Sequence, residues 1–231
     1  MYVECVGVPG AGKTTIVERT AEMLNARGIR CTTKTSFFKL EQKRGYKILW
    51  SLCHMHYLDL PVAVLLFRLA RRRGSSLENM LTKLHEHQKL RYQFKHQRQG
   101  EVAMWDGWFV QVFSALISSG FKSEESVVEF IQKRLPHKTL LVYVDTPARD
   151  AVERMWERER RLRAIAGVAV EKNVVDKEKQ QQEFMNEQQT QKGMIETLAR
   201  RGVRIIRLDG TRHPTENATI IYEEVVKYFS V

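Results

Sequence analysis

Eight consecutive residues near the start of the chain, Gly7-Val8-Pro9-Gly10-Ala11-Gly12-Lys13-Thr14, match the pattern GxxxxGK followed by Ser or Thr without a mismatch. The chemistry this pattern serves is the binding of a nucleoside triphosphate. Glycines let the backbone curl until consecutive amides point inward at phosphate oxygens. A helix beginning at Lys13 would add unpaired amides and the positive end of its dipole at the same spot. Lys13 has the reach for the β- and γ-phosphates, and the Thr14 hydroxyl suits a magnesium ion. Gly7, Gly10, Ala11, Gly12, Lys13, Thr14 and Thr15 are therefore the expected ATP contacts, with Mg2+ as the accompanying ion.

Two further groups could act on a phosphoryl group held there. The segment Glu101-Val-Ala-Met-Trp-Asp106 reads as a strand ending in a carboxylate. In a parallel sheet ligands gather at the carboxyl ends of strands, which would bring Asp106 to the glycine-rich loop. There it could belong to the metal shell or take a proton from an attacking hydroxyl; the alternative is a carboxylate that only caps the next helix. Gly107 follows it, so the Asp-Glu pair with which many motor and transporter ATPases activate water is absent. No Asn-Lys-x-Asp sequence for reading guanine is present either. The second group is the arginine cluster Arg149, Arg154, Arg158, Arg160, Arg161 and Arg163. Arg154, Arg158 and Arg161 share a helical face, and phosphoryl transfer needs cations that close on the equatorial oxygens. Arg154 and Arg158 are the expected catalytic pair. Glu153, Glu157 and Glu159 are interleaved, which leaves open a solvated face laced with ion pairs.

The phosphoryl acceptor leaves a weaker trace. Phe37 and Phe38 follow the second candidate strand, and one could stack on a base; core packing is the alternative. Arg68, Arg91 and Arg98 could grip an acceptor phosphate, Arg91 foremost, or could be surface arginines. His54-Met-His56 and His85-Glu-His87 resemble metal pairs, but positions i and i+2 of a helix point to different faces. The glutamine-rich run from Gln180 to Gln191 reads as a solvated helix face.

A chain of 231 residues with 43% hydrophobic and 28% charged residues has ordinary globular composition, which excludes a disordered or collagen-like polypeptide. The net charge of +11 favours anionic ligands without choosing among phosphates, nucleic acid and acidic membranes. The most apolar stretch, Ile48 to Phe67, is broken by His54, His56, Asp59 and Pro61, so it reads as buried helices and not as a membrane span. Cys5, Cys31 and Cys53 form no CxxC pair, and the start of the chain lacks a basic and then apolar leader; a reducing, cytoplasmic setting is the expectation.

Behind these residues the pattern alternates. Tyr2–Val8, Ile29–Thr35, Glu101–Trp105, Thr139–Val144 and Val203–Leu208 read as strands. Lys13–Ala26, capped by Gly28, reads as a helix, as do Trp108–Ser118, Ser123–Leu135, a helix opened by Asp145-Thr-Pro147, Asp176–Arg201 and Thr215–Phe229. Residues 40–99 are helical and basic, with Ser75 and Glu78 at capping-box spacing behind Arg71–Arg73 and Gly74. Ala164–Val170 is small and contains Gly167, as a mobile segment would be. Five strands alternating with helices predict an α/β chain with a parallel sheet of the P-loop NTPase class, one domain over 1–231, with an acceptor-side helical region at about 37–99 and an arginine-rich lid at about 154–175.

The glycine-rich loop, the strand ending at Asp106, the Asp145-Thr-Pro147 opening of an arginine-rich helix, and the late strand ending Leu208-Asp209-Gly210 together resemble the thymidylate kinase group of nucleoside monophosphate kinases. The resemblance runs through the whole chain in order. It implies five parallel strands, an arginine lid over the transferred phosphate, and a loop from Asp209 and Gly210 to Arg212 beside the adenine. Uncharged Val8, Pro9 and Ala11 with an arginine-filled lid resemble the subgroup that keeps its arginines in the lid. Two departures bear on the acceptor. The group has Asp-Arg where this chain has Asp106-Gly107, and Glu-Pro-Gly where it has Thr35-Ser36-Phe37. The leading expectation is an ATP- and Mg-dependent kinase of a small acceptor, a nucleoside monophosphate or a related metabolite, with no membrane partner and with homodimerisation open. A nucleic-acid-dependent ATPase and a non-catalytic nucleotide-binding regulator are the alternatives.

Overall fold

The computed structural model describes residues 1–38, 60–73, 77–118, 120, 123–165 and 174–229. In chain order these form β1 (Tyr2–Val6), α1 (Lys13–Ala26), β2 (Cys31–Thr33), α2 (Lys34–Phe38), α3 (Leu60–Arg73), α4 (Leu77–His96), β3 (Val102–Asp106), α5 (Phe109–Ser118), α6 (Glu124–Gln132), β4 (Thr139–Asp145), α7 (Ala148–Ile165), α8 (Val174–Arg200), β5 (Arg204–Asp209) and α9 (Pro214–Phe229). The five strands make one parallel sheet in the order β2-β3-β1-β4-β5. Helices cover both faces, as a sheet of buried parallel strands demands.

The two faces can be read off β1. Val3 and Cys5 join a core with α1 and α9, through Ile16, Leu24, Ile221 and Val225. Tyr2 and Val6 join the opposite core, built with Leu90, Trp108, Phe113, Ile131 and Leu198 from α4, the start of α5, α6 and α8. This is the period of two that a pleated strand imposes. Glu4, fully buried, lies in the same strand as the one charged residue of an otherwise apolar run.

Most expected elements fall within a residue or two of their observed bounds, and three differences bear on the site. β2 ends at Thr33, and Lys34–Phe38 turns into helix where a longer strand was expected. Ser36 explains the stop: its Oγ accepts from the Thr33 amide at 2.9 Å and donates to the Thr33 carbonyl at 2.9 Å, a local turn that competes with the ladder. Pro147 precedes α7 instead of opening it, and its carbonyl accepts the first helical bond from Ala151 at 3.0 Å. The glutamine run is only partly a solvated face: Gln182 and Gln189 are exposed, but three other glutamines meet neighbours. Gln191 is fully buried, Gln188 donates to the Thr146 carbonyl, and Gln180 accepts from Trp156 Nε1 at 2.6 Å. The reason is tertiary: α8 packs against α5, α6 and α7, so glutamines that look solvated in sequence meet neighbours on several sides. His54, His56, Cys53, Gly74, Ser75 and most of Ala164–Val170 lie outside the described residues. Among the described residues no helix is long and apolar enough to cross a membrane.

Candidate active site

The glycine-rich loop follows β1 directly, and Lys34, Asp106, Thr146 and Gly210 follow or end the other four strands. Since all strands run parallel, these residues share one edge of the sheet. A cavity of about 1240 Å³ opens there. Pro9, Gly10, Gly12, Lys13, Thr14 and Thr15 line it from the loop and the first turn of α1; Asp106 and Gly107 from the end of β3; Arg154, Met155 and Arg158 from α7. The far side is formed by Lys34, Leu66, Lys83, by Gln111, Val112, Ala115 and Ser118 of α5, and by Glu183, Phe184, Asn186 and Glu187 of α8.

The loop holds its shape through glycine and lysine together. Gly10 has φ +84°, and a Cβ there would come within 2.1 Å of the Ala151 carbonyl oxygen, so neither the backbone nor the space admits a side chain. Lys13 is buried, and its Nζ donates to the carbonyls of Gly7 at 2.7 Å and Val8 at 2.8 Å. The ammonium thus sits in the mouth of the loop, tied to the loop's own backbone. Burial pushes its pKa down to about 8, against the pull of the Asp106 carboxylate.

Thr14 Oγ1 donates to Asp106 Oδ2 at 2.5 Å. Register places Cys5 beside Asp106, so the strand that leads into the loop and the strand that ends in the carboxylate are adjacent. A hydroxyl and a carboxylate side by side on an open cavity are hard oxygen donors, a set that fits Mg2+, an ion that takes one or two protein ligands and completes its shell with phosphate and water. Gly107 has φ +73°, a left-handed backbone in which a side chain would strain this turn.

The arginine cluster divides. Arg160, Arg161 and Arg163 pair with Glu153 at 3.5 Å, Glu157 at 3.9 Å and Glu159 at 3.2 Å, and they do not line the cavity. The solvated-face reading holds for them. Arg154 and Arg158 face the cavity. Arg154 Nη1 donates to the Gly210 carbonyl at 2.9 Å, tying α7 to the turn after β5. Arg158 is exposed and, among the described residues, has no ion-pair partner. Asp209 closes that same turn by accepting from the Thr211 amide at 2.8 Å and hydroxyl at 2.6 Å, bonds that hold its carboxyl below the usual range. Gly210 allows close approach: a Cβ would meet Thr146 Oγ1 at 1.7 Å. Neither Asp209 nor Gly210 lines the cavity.

The acceptor-side candidates Phe37 and Arg91 lie on α2 and α4. Phe37 falls in α2, with its side chain outside the described residues. Arg91, half-buried on α4, is not a cavity residue; it stands two turns beyond Lys83, roughly 12 Å further along the helix. On this side, among the described residues, the cations that face the cavity are Lys34 and Lys83. The two are held by one carboxylate, Glu86 Oε1 at 3.1 Å from Lys34 and Oε2 at 2.9 Å from Lys83, and each lies over a tryptophan ring, Trp105 at 5.9 Å and Trp108 at 5.8 Å. Lys34 carried one usable signal, its place next to last in the expected strand Ile29–Thr35. Lys83 carried none, since nothing distinguishes it on a long polar helix. His85 and His87 are buried on the same helix, where His87 packs 5.9 Å from Trp108 and 6.3 Å from Phe109. No family model and no curated protein matches the chain.

Proposed function

We propose that the chain is a P-loop phosphotransferase that moves the γ-phosphoryl group of ATP, with Mg2+, onto a small acceptor, a nucleoside monophosphate or a related phosphorylated or hydroxyl-bearing metabolite. The observation that carries this reading is convergence. Lys13, Thr14, Asp106 and Arg158 come from three separate stretches of chain and line one cavity. At about 1240 Å³ it exceeds the roughly 300–1,000 Å³ that a single drug-sized ligand fills, which suits two substrates meeting end to end.

The triphosphate lies along the loop amides, with Lys13 at its β- and γ-oxygens. Thr14 and Asp106 would hold Mg2+, whose contribution is to neutralise charge on the phosphate oxygens. The acceptor enters from the side of Lys34 and Lys83, whose charges favour an anion. An acceptor oxygen attacks the γ-phosphorus, the bond from that phosphorus to the bridging oxygen breaks, and ADP leaves. A hydroxyl acceptor gives its proton to Asp106; an ionised phosphate oxygen needs no base. Arg158 on the lid helix α7 stabilises the charge spread over the equatorial oxygens. The three carboxylates Asp106, Glu183 and Glu187 in the same cavity suit a short phosphate chain better than a polynucleotide backbone.

The test is a screen of nucleoside monophosphates, nucleosides and sugar phosphates for ADP formation from Mg-ATP. The expected result is turnover that depends on one acceptor class and is lost in Lys13→Ala. Normal turnover in that variant, or no calorimetric binding of Mg-ATP to the native chain, refutes the reading. ADP formation stimulated only by polynucleotide points to the nucleic-acid alternative, and binding with no turnover against any acceptor points to the regulator.

A further inference from the structure

Glu4 stands in the central strand with no exposure to solvent. A carboxylate so placed is costly unless every lone pair finds a donor. Two of its three donors come from one distant turn, and the third from its own strand. Glu4 Oε1 accepts from the backbone amides of Trp108 at 2.8 Å and Val110 at 3.1 Å, and Oε2 accepts from the Tyr2 hydroxyl at 3.0 Å. The two amides flank the start of α5, Trp108 one residue before it and Val110 in its first turn, where a helix has no intrahelical partners to offer. A stabilising core would be served as well by an apolar side chain at this position and an ordinary cap from α5 itself.

Position gives the arrangement a use. Glu4 lies three residues before Gly7, on the strand that leads into the glycine-rich loop. Trp108 lies two residues after Asp106, across a turn through Gly107 at φ +73°. The Glu4 bonds therefore tie the loop's own strand to the far side of the turn that carries Asp106. They also fix the start of α5, whose Gln111, Val112 and Ala115 line the cavity. We propose that Glu4 is a positioning residue: by gripping the amides of Trp108 and Val110 it sets where the Asp106 carboxylate meets the Thr14 hydroxyl, and so governs metal-dependent phosphate binding without touching any ligand. The proposal rests on the phosphotransferase reading for the identity of that ligand.

The experiment compares the native chain with Glu4→Gln, Glu4→Asp, Glu4→Leu and Tyr2→Phe. Two quantities are read for each: the affinity of the ADP-bound protein for Mn2+, by electron paramagnetic resonance, and the thermal midpoint. Glu4→Gln keeps an oxygen for both amides and should hold Mn2+ within about twofold of the native chain. Glu4→Leu leaves the amides unheld, and Glu4→Asp falls one methylene short; both should weaken Mn2+ binding by about tenfold or more, the range typical of lost outer partners of metal ligands. Tyr2→Phe removes only the third bond, so it should lower the midpoint while leaving Mn2+ affinity unchanged. Should Glu4→Leu not fold, Glu4→Asp carries the comparison. If the Glu4 variants lower the midpoint as Tyr2→Phe does and bind Mn2+ like the native chain, Glu4 only stabilises the fold and the proposal is overturned. If the native chain itself binds neither ADP nor Mn2+, the phosphotransferase reading falls first and takes this role with it.

Discussion

Raising the pH from 7 to 9 should weaken binding of Mg-ADP by about tenfold, through Lys13 alone. Burial holds the free protein's Lys13 at a pKa of about 8, well below an ordinary lysine, because its ammonium is withdrawn from water. Diphosphate oxygens brought against that ammonium favour the charged form, so the bound complex has the higher pKa. Where bound pKa exceeds free pKa, binding takes up a proton and affinity falls as pH rises through the lower value, here about 8. At pH 7 about nine-tenths of free Lys13 is charged and at pH 9 about one-tenth, which is the tenfold change, or about 1.4 kcal/mol. The assay is titration calorimetry in two buffers of different ionisation enthalpy. It should show about 0.9 proton taken up per ADP at pH 9 and about 0.1 at pH 7. Phosphate ionisation is complete by pH 8, so it does not produce this slope. Lys13→Ala should bind weakly at every pH and take up no proton. Flat affinity from pH 7 to 9 in the native chain, with no proton uptake, would refute a buried phosphate-binding lysine.

The two cavity arginines should separate in steady-state kinetics. Arg158→Ala should lower kcat by about a hundredfold with little change in KM for ATP, as expected when one donor to the transition state is removed. Arg154→Ala should act on KM for ATP, since its bond to the Gly210 carbonyl ties α7 to the turn after β5; the reverse assignment would sink the division made here. Lys34→Ala with Lys83→Ala should raise KM for an anionic acceptor by about tenfold or more while leaving KM for ATP unchanged, measured by varying each substrate in turn. Gly10→Ala places a Cβ on the Ala151 carbonyl in a left-handed backbone and should cost at least ~2 kcal/mol, read as a lowered denaturation midpoint together with lost ADP binding.

What could be read in advance divides by the distance over which its cause acts. The glycine-rich loop was legible because its cause is local: the residues that curl the backbone, supply the ammonium and start the helix are consecutive in the chain. Asp106 was legible one step further, because a strand's carboxyl end has a defined place in any parallel sheet. The arginines were half legible. Helical spacing grouped Arg154, Arg158 and Arg161, but which of them face the cavity depends on which find a glutamate, and Arg161 finds Glu157. Glu4 lay beyond reach, since its partners are 104 and 106 residues away and a lone acid in a strand looks like a flaw in the apolar pattern. The glutamine run was half legible for the same reason: composition describes a helix surface without saying which elements it meets, and α8 meets α5, α6, α7 and β5. Lys34 shows the intermediate case. A strand read two residues too long buried it in the sheet; ended at Thr33 by the Ser36 turn, the same residue stands at the strand's mouth, where a parallel sheet puts its ligands. A local turn closed by one serine side chain thus decides whether a lysine lies within the sheet or at its ligand-facing edge.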